Sequence, residues 1–203
     1  MAGKTNKSSQ IPYHHGDLRP ALIQAARHIL HEKGIEALSL RLIAKEIGVS
    51  HMAPYAHFKG KQDLLAAVAA SGFDELATNM IEAQKKHAKA KGQALAILYG
   101  VEYIRFALSN RNLYRLMLSQ MNQDDSTGKA NPRSQVRSQR PFRLLYSAFA
   151  AASPNKKTAH TKAVGAWAVV HGIVSLSMDG HLVLPEGVDA VQLFKTTVGS
   201  FTK

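Results

Sequence analysis

An all-α fold is predicted by three features of the sequence. Apolar residues recur at helical spacing, Ser, Asp and Gly punctuate the ends of those runs, and strand-like alternation is nearly absent. The pattern divides the chain into a flexible basic arm at 1–12, a three-helix unit at 13–60, and a helical domain at 61–203 entered by a long helix.

The arm is rich in Lys, Ser and Gln. The first helix runs from about Asp17 to Lys33, with Asp17 as a cap and Pro20 in the first turn, where a missing N–H costs little. Leu18, Leu22, Ala25, Ala26, Ile29 and Leu30 give its apolar face, and Gly34 ends it in a left-handed position. Ser39 caps a short second helix with Leu40, Ile43, Ala44 and Ile47 as its buried stripe, and Gly48 stops it. Only Val49 separates Gly48 from Ser50, the cap of a third helix from His51 to Phe58. Pro54 removes one early backbone bond of that helix. The long helix starts near Lys61 and carries Leu64, Leu65, Val68, Phe73, Leu76, Met80 and Ile81 at apolar positions. Further helices are expected at 92–109, 112–121, 141–152, 157–182 and 189–201, with a polar loop at 122–140 and a turn at 184–187.

Composition narrows the function. The 203 residues are 45% hydrophobic and 20% charged, enough for a sizeable core without staples. There is no cysteine, which excludes disulfides and thiolate metal sites and fits a reducing compartment. Residues 1–10 lack the apolar stretch of a signal peptide, and no apolar run approaches the roughly 20 residues of a membrane span. The expectation is a soluble cytoplasmic protein that engages no membrane. The formal charge of +12 points to a polyanionic partner, most commonly nucleic acid. Neither catalytic residues nor a metal or cofactor site is expected. His14, His15, His28, His31, His51, His57 and His160 fall on different elements, and there is no phosphate-cradling Gly-rich loop or nucleophile elbow.

The segment from Ser39 to Phe58 reads as a helix-turn-helix: two short helices around a Gly-containing turn, packed steeply so that the second faces outward. That second segment holds His51, Met52, Ala53, Tyr55 and His57, and no acidic residue. Small residues let it enter a major groove, and polar aromatics reach bases or phosphates that would repel carboxylates. Tyr55 is the leading contact. Ser50 serves as cap, phosphate contact or both. His57 faces phosphate or packs on the first helix, and Phe58 anchors the segment. Arg41, Lys59 and Lys61 are phosphate candidates, Lys61 aided by the helix N-terminus it occupies. For Arg41 a solvated surface charge is the alternative.

Residues 13–66 resemble the DNA-binding domain of the TetR/AcrR family. The resemblance rests on Ala25-Ala26 and Gly34, on the run Ser39-Leu40-Arg41-Leu42-Ile43-Ala44, on Ile47-Gly48-Val49-Ser50, and on Tyr55-Ala56-His57-Phe58-Lys59-Gly60-Lys61 followed by Leu64-Leu65. Tyr13-His14-His15-Gly16-Asp17-Leu18-Arg19 resembles one branch of it, whose C-terminal domain bears a Trp-His-Gly signature; Trp167, His171 and Gly172 look like that signature. Pro54 departs from the wider family pattern. The resemblance implies a transcriptional repressor: a homodimer joined through its last two helices, bound to a double-stranded DNA operator, and released by a small apolar effector held in the C-terminal domain. The long helix from Lys61 would couple the two domains, since linkage between sites is reciprocal.

The C-terminal domain offers Tyr103, Phe106, Met117, Phe149, Trp167 and His171 as candidate ligand-binding residues, among further aromatics at Tyr99, Tyr114, Phe142 and Tyr146. Ordinary core packing is the alternative for each, and for His171 a satisfied core histidine. The apolar faces of 163–178 and 191–201 exceed what one chain needs to cover and are expected to meet a second copy. Lys4 and Lys7 of the arm, and the basic stretch from Lys129 to Arg143, read either as extra DNA contacts or as solvated charge. The competing function is a non-specific nucleoid-type binder.

Overall fold

The computed structural model describes residues 18–126 and 137–200. Among the described residues there are eight α-helices, two short 3-10 segments and no strand. The chain divides into two compact units, residues 1–68 and 69–203, with the boundary inside one helix.

The first unit contains α1 (Leu18–Lys33), a 3-10 turn (Ile35–Ala37), α2 (Leu40–Ile47), a 3-10 segment (Ala53–Ala56) and the opening turns of α3 (Lys61–Lys86). Leu22, Ala25, Ala26, Ile29 and Leu30 of α1 are buried together with Leu40, Ile43, Ala44 and Ile47 of α2, as the spacing predicts. Phe58, Leu64, Leu65 and Val68 complete this core. Ser39 caps α2 by accepting a hydrogen bond from the Leu42 N–H at 3.1 Å. Gly48 ends α2 in the left-handed region at φ 76°, ψ 29°. Gly34 differs from expectation. Its φ of 78° is positive, but its ψ of 177° is extended, so the chain leaves α1 straight into the 3-10 turn. Asp17, its expected cap role and the arm lie outside the described residues.

The second unit holds the rest of α3, then α4 (Gly92–Ser109), α5 (Arg111–Ser126), α6 (Arg140–Ala150), α7 (Lys156–Met178) and α8 (Ala190–Ser200). Helix α4 is its centre and packs against α6, α7 and α8. It is accordingly apolar nearly all round, burying Leu95, Ala96, Tyr99, Val101, Tyr103, Ile104, Phe106 and Ala107. Asn155 caps α7, accepting from the Thr158 N–H at 2.8 Å. That helix ends at Met178, short of the predicted 182, because Gly180 turns left-handed and the N–H groups of His181 and Leu182 fold back to the Leu176 carbonyl. Helix α5 instead runs past the expected 121 to Ser126, which removes five residues from the predicted loop. Residues 127–136 of that loop, Lys129 included, lie outside the described residues. Beyond it, Arg137 and Arg140 both reach Asp74 of α3, at 3.3 and 3.7 Å. No described helix is long and apolar enough to cross a membrane.

Candidate nucleic-acid surface and candidate ligand site

The segment after α2 is a 3-10 stretch, not the α-helix its composition suggests. Pro54 has no N–H to return to Ser50, so the Ala53 N–H closes on the Ser50 carbonyl one residue earlier, at 3.0 Å. The tight winding continues with Tyr55 N–H to Met52 O at 3.1 Å and His57 N–H to Pro54 O at 3.0 Å. Pro54 is buried, and Phe58 is 1% exposed with the Arg19 guanidinium 5.1 Å from its ring centroid. Those two residues anchor the inner side. The outer side presents Met52 and Tyr55, 72% and 53% exposed, flanked by exposed His51 and half-buried Ala53 and His57.

Charge gathers beside it. Arg41, Lys45 and His51 line one open depression with Ser39 and Leu42. Lys45 stands outside the set predicted from sequence; its spacing of four from Arg41, which puts both on one helix face, is the signal that marks it. The Ser50 hydroxyl accepts from the Met52 N–H at 3.3 Å, which gives it the local capping role. Lys59 and Lys61 are exposed, and Asp63 reaches back to the Lys59 N–H at 3.0 Å, setting the start of α3. The four first-turn N–H groups of α3 and Lys61 therefore lie at one helix end, the usual arrangement for meeting a phosphate.

In the second unit, three helices bring together Tyr103 of α4, Tyr114 of α5 and His171 of α7. The Tyr103 hydroxyl donates to that of Tyr114 at 3.2 Å, and the two oxygens lie 3.0 and 3.1 Å from Nε2 and Nδ1 of His171. Neutral His171 and two phenols carry three such protons and make three mutual contacts, so none is left over. Burial pushes both tyrosine hydroxyls up, Tyr103 strongly, and lowers His171 to about 4. Trp167 packs over this group, its ring centroid 4.7 Å from His171 and 5.2 Å from Tyr103, and Phe142 follows at 5.5 Å.

Of the six ligand candidates, Tyr103 and Trp167 line a shared cavity with Met80, Tyr99, Leu145 and Phe194. It measures about 10 Å³, room for about one water. His171 touches both residues but is engaged by the tyrosines. Phe106, Met117 and Phe149 are buried and do not line that cavity; Met117 lies against Gly72. Tyr114 is the member that sequence spacing does not reveal, because only tertiary packing joins it to the others. No group of three His, Cys, Asp or Glu side chains able to hold a metal occurs among the described residues.

The architecture is thus a small helix-turn-helix unit followed by an all-helical domain around a buried central helix. Residues 22–68 match the family model for bacterial regulatory proteins of the tetR family, and residues 95–201 match that of the tetracyclin repressor-like C-terminal domain. The chain belongs to the TetR family of transcription regulators, with its DNA-binding helix-turn-helix at the N-terminal side.

Among relatives, the tetracycline repressor protein class C of Escherichia coli is 43% identical over 51 residues, 25% of this chain and 23% of that protein. The HTH-type transcriptional regulator YobS of Bacillus subtilis strain 168 is 26% identical over 97 residues, 48% of this chain and 49% of its own. The chain thus spans a half or less of the curated relatives it matches. Solved structures match over far more. A Rhodococcus sp. RHA1 protein of unknown function is 32% identical, with a TM-score of 0.76 over 94% of this chain and 96% of that one. A TetR family transcription regulator from Marinobacter aquaeolei VT8 shares the fold at a TM-score of 0.61 and 18% identity, over 90% and 93% of the two chains.

Proposed function

We propose that this protein is a sequence-specific DNA-binding repressor that acts in the cytoplasm and leaves a palindromic operator when a small apolar effector binds. The observation that carries the reading is the 3-10 segment at Ala53–Ala56. It is pinned from within by Pro54 and Phe58 and presents Met52 and Tyr55 outward, with no carboxylate among residues 47–62. Tyr55, His51, Met52 and Ala53 face base edges, while Arg41, Ser50, His57, Lys59 and Lys61 hold phosphates. Lys45 joins the phosphate set by its place beside Arg41.

The protein acts as a homodimer through α7 and α8. Helix α7 exposes Val164 and Leu176 at 44% and 45%, on a face shared with Gly165, Ala168 and Gly172. Trp167, His171 and Gly172 support membership of the branch with a Trp-His-Gly C-terminal domain. The effector enters between Tyr103, Trp167 and His171. Because the cavity there is nearly filled, binding has to move Trp167 or Phe194, which gives the ligand a conformational change to drive.

Selection of genomic fragments by the purified protein tests this reading, followed by titration of the enriched duplex against random duplex at physiological salt. A short palindrome bound about a thousandfold more tightly than random sequence is the expected result. Equal, salt-sensitive binding to every duplex would establish the nucleoid-type alternative instead.

A further inference from the structure

The positive charge of this protein is not concentrated where the helix-turn-helix is. Residues 1–68 carry 9 Lys or Arg against 5 Asp or Glu, a net of +4. Residues 69–203 carry 17 against 9, a net of +8, which is the same charge per residue as in the first unit. Within the second unit the charge is clustered. No acidic residue stands between Glu82 and Glu102, where Lys85, Lys86, Lys89 and Lys91 fall, nor between Asp125 and Asp179, where Lys156, Lys157 and Lys162 fall.

The fold brings these two stretches together. The α3–α4 connection ends at Gly92, and a Cβ built on Gly92 would lie 2.9 Å from the Cβ of Ala152 in the α6–α7 connection. All seven lysines are exposed, and none is paired with a described carboxylate. Lys85 and Lys86 end α3, Lys89 and Lys91 follow in the connection, and Lys156 and Lys157 open α7, so these six unneutralised ammonium groups gather about the two adjoining connections and repel one another, a cost that an anionic partner removes.

The chemistry of the patch selects the partner. Lysines act as mobile point charges and lack the planar fork that reads one carboxylate or phosphate bidentately. A cluster of them suits a polymer that carries many phosphates. A lipid surface would require apolar side chains to insert, and no large hydrophobic residue is exposed on either connection. We infer that the second unit carries its own sequence-independent surface for the phosphate backbone of duplex DNA, built on Lys85, Lys86, Lys89, Lys91, Lys156 and Lys157. The protein then holds two DNA surfaces of different character: one that reads sequence, and one that retains a second segment of duplex.

The test uses the full chain, a random-sequence duplex and three proteins: the parent, the quadruple variant Lys85→Gln, Lys86→Gln, Lys89→Gln, Lys91→Gln, and the triple variant Arg41→Gln, Lys45→Gln, Lys61→Gln. Binding is titrated over a range of salt, with unfolding curves to confirm that each variant folds. Each lost phosphate contact lowers the slope of log affinity against log salt by about 0.9. The quadruple variant is expected to show a slope shallower by about 2 to 4 and at least a tenfold loss of affinity at about 0.15 M salt. It is also expected to lose the energy transfer between two differently labelled duplexes that the parent brings together. The same slope, affinity and transfer as the parent would overturn the inference. So would loss of binding to phosphatidylserine vesicles with duplex binding intact. A change confined to the triple variant leaves the helix-turn-helix reading standing and this one refuted. No change in either variant refutes both.

Discussion

Gly100 of α4 faces the ring of Phe194 of α8 so closely that a Cβ built at position 100 would lie 2.1 Å from the Phe194 Cζ. Phe194 is 1% exposed, and the cavity it lines has room for only about one water, too little for the ring to retreat into. An alanine normally favours a helix interior by about 1 kcal/mol over glycine. Here the steric term wins, because overpacking costs about 1–3 kcal/mol and the partner is a rigid ring. Gly100→Ala is therefore expected to lower the unfolding midpoint, measured by thermal or urea denaturation. Gly72 supplies the contrast. Its added Cβ would meet the Sδ of Met117 at 2.6 Å, the movable part of a flexible side chain. Gly72→Ala is expected to change stability by less than about 1 kcal/mol, as the helix-propensity gain offsets the repacking of Met117.

The closed set of Tyr103, Tyr114 and His171 predicts a pH dependence with a definite sign. Protonating the ring adds a fourth proton for which the set has no acceptor, and burial already lowers His171 to about 4. The groups facing it are the two tyrosine hydroxyls and the Trp167 ring, with no carboxylate among them. A histidine whose folded value lies below its unfolded one, about 6.5, favours folding only while neutral. Its contribution is complete above pH about 6.5 and is lost as pH falls toward 4. After discounting for partial exposure, the loss amounts to about 1–2 kcal/mol. Denaturation midpoints of the parent and of His171→Gln, compared between these limits, should converge as the pH falls.

Tyr55 and Phe58 lie one turn apart and should fail in opposite ways. Tyr55 is half exposed, so Tyr55→Ala is expected to leave stability within about 0.5 kcal/mol and to weaken operator binding at least tenfold. Lys61→Ala should behave similarly, with a smaller loss that shrinks as salt rises. Phe58, 1% exposed beneath Arg19, holds the segment in place, and Phe58→Ala is expected to cost about 3–5 kcal/mol of folding stability. Retention of full DNA affinity by both Tyr55→Ala and Lys61→Ala would remove these residues from the reading surface.

How much of this was legible in the sequence depends on the range over which the cause acts. The stripe Leu40, Ile43, Ala44 and Ile47, the Ser39 cap and the Gly48 stop are local, and each is found where spacing and cap chemistry put it. The winding after Ser50 was half legible. Pro54 announces a missing N–H, but whether the chain answers by shifting an α-helix or by tightening to 3-10 depends on how Pro54 and Phe58 pack. The meeting of Tyr103, Tyr114 and His171 was not legible, since the residues are separated by 11 and 57 positions and only the crossing of α4, α5 and α7 joins them. Charge was legible only in sum. The +12 pointed to a polyanion, but it is spread over the two units in proportion to their lengths, so the total does not locate a binding surface.

Helix α7 provides the test of assembly. Gly165 and Gly172 have no neighbouring atom within 4 Å of an added Cβ, and Val164 and Leu176 stand 44% and 45% exposed on the same helix. In a lone chain such glycines only cost helix stability, about 1 kcal/mol each relative to alanine, and two exposed aliphatics add nothing. Against a second copy the same residues make sense, because small side chains let two helices approach and the flanking aliphatics are covered. Leu176→Arg places a charge in that contact, while its backbone carbonyl goes on accepting from His181 and Leu182. The variant is expected to sediment as a monomer at concentrations where the parent is a dimer. It should also lose cooperative binding to a two-half-site duplex, with its helical content unchanged. A dimer of undiminished affinity would move the interface to another face.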